Sequence, residues 1–373
     1  MDSPVINWKN TENHFLANPR WPAEVQNFFT TGLKKIVEDQ GIQGSIFIPT
    51  SGTTATDLRN IKIVWLKKEA FLAAATAVGK HYGFSDQDQV AVTLPGFHVG
   101  SLSQEARKFV WNQKLFHFSE SWQPHKFFEF LQTYQITHTS LVPTQLFDLV
   151  QAGFKAPAHL KCIFLGGGAL GQELKTRAQD LGWALQVTYG MTETSALVAF
   201  YEGQGFKPLP HAKFDLDEKG FLKIKASSLF SGYFKRSGEN LILDDSVLKN
   251  GWFTTEDLAE EKNECFQILG RSQDYAKISG EGVYLGRLQT LLQDSWLQAG
   301  LNSFGTGVLQ FVPSERLGTE IHLVSTLPQA AVQNAVQIFH EKVLPFERIR
   351  GFHQVQDLPK TELGKILFSK IKR

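Results

Sequence analysis

The apolar run Ile46-Phe47-Ile48-Pro49 gives way to Thr50-Ser51-Gly52-Thr53-Thr54, five residues that offer four hydroxyls and a flexible glycine. Hydroxyls and consecutive backbone N–H groups just beyond a strand are a common means of holding phosphate oxygens. The bland alternative is a Ser/Thr turn capping a helix. A Walker cradle is absent: Ala55 and Asp57 follow where a second glycine would stand, the first lysine is Lys62, and no G-x-x-x-x-G-K-[ST] occurs in the chain. A second candidate is Gly166-Gly167-Gly168-Ala169-Leu170-Gly171, which satisfies G-x-G-x-x-G between a strand and a helix. Dinucleotide binding also needs an acid on the next strand to take a ribose hydroxyl. That strand, residues 184–190, has none, and the first acid beyond it is Glu193.

Strands and helices must alternate to position such loops, and they do. Helical spacing over residues 22–40 precedes a buried strand at 45–50. A helix over 68–84, a strand over 89–95, a helix near 101–111, an amphipathic helix over 125–135 and a strand over 136–143 follow. Helix, strand, helix and strand then run to Gly190, so the spacing predicts an α/β protein with a mainly parallel sheet covered by helices. Beyond about residue 200, short strands and turns predict a small β-rich subdomain. From about 273 the pattern returns to mixed α+β. The expected division is therefore a large domain, 1–271, and a smaller one, 272–373.

The chain of 373 residues is long enough for two cores. With 42% hydrophobic and 20% charged residues it reads as globular. A net charge of +1 gives no electrostatic case for nucleic acid. Cys162 and Cys265 form neither a disulfide framework nor a zinc pattern. Residues 70–79 are too short an apolar run to span a bilayer, and the first fifteen residues lack the form of a secretory signal. The expected location is the cytoplasm.

Seven segments, taken in order, resemble the conserved stretches of the acyl-adenylate-forming family. They are TSGTT (50–54), LPGFHVG (94–100), LGGGAL (165–170), YGMTET (189–194), GWFTTEDL (251–258), LGRSQDYAKISGEGV (269–283) and LPKTELGKI (358–366). Members of that family join a carboxylic acid to AMP using ATP and Mg²⁺, and many then transfer the acyl group to coenzyme A. The segments 137–146, FHVGSL and GEG (280–282) most resemble the branch that acts on o-succinylbenzoate in menaquinone biosynthesis.

The resemblance implies roles. Thr50, Ser51, Gly52, Thr53, Thr54 and Lys62 would hold phosphates. Gly166, Gly167, Gly168, Tyr189 and Gly190 would line the adenine. Thr192 would contact the α-phosphate and Glu193 the Mg²⁺. Asp257 and Arg271 would hold the ribose, and Lys365 would neutralise charge between carboxylate and α-phosphate. His98 would sit beside the acyl group, and Arg107, nine residues on, would pair a second carboxylate of the acid. Gln273 would be the hinge of a mobile C-terminal domain, and Gly280 would approach the coenzyme A tunnel. The bland counterparts are a helix N-cap at Thr192–Glu193, a surface ion pair at Asp257–Arg271, and core positions for Tyr189 and His98.

Several positions depart from the family pattern. Residues 55–61 intervene before Lys62, and Asp57 brings negative charge near phosphates unless Arg59 offsets it. Glu256 stands where glycine is usual, Gln273 where an acid or lysine is, and Leu285 and Arg287 where proline and glutamate are. Only 49 residues precede the phosphate loop. An uncovered sheet edge is expected from this, with a homodimer as one way to cover it. Two other readings stay open: a ligase for another aryl or fatty acid, and a weakened relative that binds a nucleotide or acyl ligand without turnover.

Overall fold

Residues 6–19, 21–49, 62–237, 240–301, 305–359 and 371 are described by the structure, a computed structural model. Five strands lie parallel and side by side in the order Lys114–His117, Gln89–Val92, His138–Leu141, Cys162–Leu165, Leu185–Met191. In the chain a helix joins each to the next: Val99–Trp111, Pro124–Thr133, Pro143–Gln151 and Gln172–Asp180. The order reverses between Gln89–Val92 and His138–Leu141, and in open parallel sheets ligands bind at the carboxyl edge beside such a switch point. The loops after Val92, Leu141, Leu165 and Met191 gather on that edge.

The β-rich region expected after residue 200 continues this sheet. Leu185–Met191 pairs antiparallel with Ala196–Tyr201. The sheet then runs on through Phe206–Pro208, Cys265–Arg271, Trp252–Lys262, Phe221–Ala226 and Ala212–Leu216. Leu185–Met191 is thus the seam between parallel and antiparallel halves.

A second sheet contains His14–Phe15, Ser45–Pro49, Lys62–Lys67, Gly232–Ser237 and Asn240–Asp244. The period-two alternation of its strands serves two cores. Ile46, Ile48, Val64 and Leu66 face Phe71 and Ala75 of helix Lys68–Tyr82 and Leu102 and Ala106 of helix Val99–Trp111. Phe47 and Ile63 face the other way, onto Val25, Phe29, Leu33 and Val37. Those last residues belong to the helical segment expected over 22–40, which is observed as Ala23–Asp39 with a wider π turn at Phe28–Gly32. The edge expected to lie bare is partly covered: His14–Phe15 pairs with Ile46 and Phe47.

The C-terminal part has a core of its own, in which Leu288, Leu292 and Trp296 of helix Leu285–Gln298 pack on Leu309, Ile321, Leu323, Val332 and Phe339. Its sheet contains Gly307–Ser314, Gly318–Ser325 and Ile349–Gln354. No helix among the described residues is long and apolar enough to cross a membrane.

One buried group makes stability depend on pH. His138 is 6% exposed, with Nδ1 2.9 Å from Thr137 Oγ1 and 3.5 Å from Asp88 Oδ1. Burial outweighs the attraction of Asp88 and pushes its pKa down to about 4. The folded protein holds this ring neutral while the unfolded chain protonates it below about 6.5. Its stabilising contribution is therefore full above pH 6.5 and is lost as pH falls toward 4. We expect the thermal midpoint to drop from pH 7 to pH 5, and to drop less in His138→Gln, as followed by calorimetry.

Candidate active site

Tyr189 lies near the end of the seam strand, and its hydroxyl donates to Asp257 Oδ2 at 2.6 Å. Asp257 is 9% exposed and sits directly opposite Arg271 in the antiparallel pair Trp252–Lys262/Cys265–Arg271. The Arg271 Nε lies 3.5 Å from Asp257 Oδ1. The Asp257 amide donates to Thr255 Oγ1 at 3.1 Å, which fixes the backbone beneath the carboxylate. Burial, reinforced by the charge of Asp257, raises the Tyr189 pKa well above that of a free phenol, so the phenol stays a donor.

Four residues beyond Tyr189 comes Glu193, in the 3-10 turn Thr192–Thr194. The turn is held from several sides. Thr194 Oγ1 accepts the Met191 amide at 3.0 Å and donates to Ala196 O at 2.7 Å, and the Phe230 amide donates to Glu193 O at 2.8 Å. A Cβ at Gly190 would meet Ala196 O at 1.9 Å, so only glycine lets the strand close on the turn. Thr192 and Glu193 are half-buried.

The Glu193 carboxylate accepts the Tyr233 hydroxyl on Oε1 at 2.8 Å. Burial and then the charge of Glu193 hold the Tyr233 phenol protonated. Lys62 Nζ lies 4.1 Å and Lys235 Nζ 5.3 Å from the centre of the Tyr233 ring, Lys62 standing opposite Lys235 between their strands. Glu256 also acts on the Tyr233 phenol. Tyr189 stands near the end of strand Leu185–Met191 and Glu193 in the turn that follows it, four residues on, so the two carboxylate–phenol pairs are neighbours along this one segment.

The glycine run follows strand Cys162–Leu165. Gly166 is half-buried, with room for a Cβ only 3.3 Å from Thr188 Oγ1; Gly167 (φ +78°) and Gly168 are exposed. The dinucleotide alternative has a physical obstacle: the first amides of helix Gln172–Asp180, where a pyrophosphate would bind, already donate to Asp294.

His98 is the residue before helix Val99–Trp111, its ring against Phe97. Arg107 sits nine residues along that helix, about 13 Å on at 1.5 Å per residue, so the two side chains are not neighbours. Arg107 is 6% exposed, its Nη2 donating to Ser103 Oγ at 2.9 Å and its guanidinium against the rings of Phe84 and Phe164. Among the described residues no carboxylate lies within ion-pair distance, and burial lowers its pKa to about 10. Gln104, one turn earlier, has both amide atoms buried without a partner among the described residues.

Gln273 is exposed in the turn Ser272–Asp274, and Gly280 (φ +89°) is exposed at the tip of hairpin Tyr275–Ile278/Glu281–Tyr284. Thr50 to Thr54 and Lys365 lie outside the described residues. Sequence reasoning missed Tyr233, Thr255 and Lys235. Tyr233 stands in a strand where Gly232, Tyr233 and Phe234 are all buried, so no alternation singles it out, and nothing local marks Glu193 as its partner.

The AMP-binding enzyme family model matches residues 16–233, more than half of the chain. The chain belongs to the AMP-binding enzyme family. Among its family relatives, a 2-succinylbenzoate–CoA ligase of Staphylococcus epidermidis is 27% identical over 334 residues, 87% of this chain and 68% of the relative. One from Bacillus cytotoxicus is 24% identical over 386 residues, 98% of this chain and 74% of the relative. One from Bacillus subtilis is 26% identical over 243 residues, 60% of this chain and 48% of the relative. The chain thus spans about half to three quarters of the length of these curated relatives. The o-succinylbenzoate CoA synthetase of Bacillus subtilis, solved with its acyl-adenylate intermediate, shares the fold: TM-score 0.74 at 21% identity, covering 88% of this chain and 69% of that one. The same enzyme solved with ATP and magnesium superposes at 0.73 and 21% identity, covering 87% and 69%.

Proposed function

We propose that this AMP-binding family member is an ATP- and Mg²⁺-dependent acid–CoA ligase, acting on o-succinylbenzoate. The observation that carries the proposal is the pairing of two carboxylates with two phenols, Asp257 with Tyr189 and Glu193 with Tyr233, where the end of strand Leu185–Met191 meets the second sheet. The names of the relatives support the choice of acid.

The acid's oxygen would attack the α-phosphorus of ATP, releasing pyrophosphate and leaving a mixed anhydride; a thiol then displaces AMP from the acyl carbon. Asp257 suits a ribose, since a carboxylate with Tyr189 and Arg271 beside it can accept from two hydroxyls. The donor set also fits a divalent ion at Glu193: Oε1 is oriented by Tyr233, and Oε2 takes no hydrogen bond among the described residues. When bound, Mg²⁺ would supply charge neutralisation for the phosphates. Lys62, and Lys365 with the loop 50–54, would complete the phosphate side. The lobe from residue 272 onward would act as the lid, with Gln273 as its hinge.

Arg107 would read the second carboxylate of the acid. A buried guanidinium without a counter-charge is costly, and an anionic substrate group would relieve that cost, with Gln104 a turn away. Arg107→Leu should raise the apparent KM for o-succinylbenzoate about tenfold to a hundredfold, the worth of one buried charge-assisted bond, and leave the KM for ATP unchanged.

Pyrophosphate release across a panel of acids, with and without coenzyme A, tests the whole proposal. Release with o-succinylbenzoate and thioester formation on adding coenzyme A are expected. Release only with benzoates or fatty acids would move the substrate. Nucleotide binding with no release for any acid would make the protein a binder.

A further inference from the structure

Helix Gln172–Asp180 begins without a cap of its own, because its N-cap residue is Gly171, which has no side chain to offer. The acceptor comes from the C-terminal lobe. Asp294, 7% exposed on helix Leu285–Gln298, accepts the Gln172 amide on Oδ2 at 3.0 Å and the Glu173 amide on Oδ1 at 3.0 Å. A Cβ on Gly171 would lie 2.2 Å from Asp294 Oδ1. The third glycine of the G-x-G-x-x-G run therefore makes room for a carboxylate of this same chain. Further contacts accompany the tie, among them Gln298 Nε2 donating to Glu173 Oε2 at 3.4 Å. Arg177 Nη2 donates to Leu297 O at 3.0 Å, and Leu297 joins the apolar cluster of the large domain with Leu174 and Ala178.

This contact joins the two parts that must move relative to each other if a lid turns between half-reactions. One side is the helix that closes the glycine loop 166–171. The other is the first helix of the lobe that carries hairpin 275–284. In the orientation seen here Gly280 at the tip of that hairpin is exposed, with nothing among the described residues within 4 Å of a Cβ built on it, while the neighbouring Ser279 amide donates to Leu317 O at 3.4 Å. We infer that Asp294 is a positioning residue: its carboxylate ties the C-terminal lobe to the glycine loop in this orientation and lets go when the lobe turns to present the hairpin.

Hydrogen exchange read by mass spectrometry tests the tie without any turnover. In Asp294→Ala the amides of residues 172–175 and 294–299 are expected to exchange faster together, by about tenfold or more, because a shared opening exposes both sides. Gly171→Ala should reproduce this from the opposite face. Asp294→Asn, which keeps one acceptor oxygen, should fall between and serves if the alanine variant does not fold. Faster exchange confined to 172–175 would make Asp294 a local helix cap and overturn the inference, as would no change. The kinetic arm rests on the ligase reading. Adenylate formation should slow in Asp294→Asn while thioester formation from preformed adenylate stays equal or quickens; equal loss in both steps would count against the tie. If the unaltered protein forms no adenylate, the ligase reading fails, and the exchange result still decides the role of Asp294.

Discussion

Replacing Asp257 by Ala is expected to lower adenylate formation by about two to four orders of magnitude, mostly through a higher apparent KM for ATP. The magnitude follows from two hydrogen bonds to a carboxylate at about 1.5–3 kcal/mol each, with tenfold in rate for about every 1.4 kcal/mol. Asp257 is nearly buried and already oriented by Tyr189 at 2.6 Å and Arg271 at 3.5 Å, so little ordering remains for the nucleotide to impose. Asp257→Asn keeps the shape and one acceptor and should lose only about tenfold, one charge-assisted bond reduced to a neutral one. Tyr189→Phe separates binding from folding: it keeps the carboxylate and removes only its orientation. Pyrophosphate exchange against ATP concentration is the measurement. An unchanged KM for ATP in Asp257→Ala would mean that the ribose lies elsewhere.

Glu193→Gln should reduce turnover by about a thousandfold, the scale seen when one preorganised charge partner of a reacting oxyanion is removed. The Mg²⁺ concentration needed for half-maximal rate should rise as well. The side chain keeps its volume and its contact with Tyr233, so the thermal midpoint should hold, which separates a chemical defect from a folding one. Tyr233→Phe tests the orientation alone and should cost about tenfold, as expected for one hydrogen bond to a charged group. A Mg²⁺ titration of Glu193→Gln that overlays that of the unaltered protein would remove the metal assignment.

The expected strands and helices formed largely where periodicity placed them, because a covered parallel sheet writes its pattern into each segment locally. The carboxyl-edge loops followed from that alternation and from the direction of the strands. The pairing of Asp257 with Arg271 was suggested by motif resemblance alone; the antiparallel register that sets them face to face is a property of two strands, and neither strand states it. Glycines 166, 167 and 168 were noted for a nucleotide, while the reason for Gly171 lay in Asp294, more than a hundred residues further on. His98 was assigned to the acyl group by resemblance and Arg107 to a second carboxylate of the acid; the structure adds that nine positions along a helix separate them.

Taken alone, the order of residues determined the element types and the strand–helix alternation and marked Tyr189, Glu193, Asp257 and Arg271 as candidates, since each depends on local spacing or a short motif. Only the tertiary structure decided that Tyr233 holds Glu193, that Lys62 reaches that phenol, and that Asp294 caps the helix after the glycine loop. Those contacts join separate elements, and a buried donor or acceptor takes whichever partner the folded packing brings within about 3 Å, wherever that partner lies in the chain.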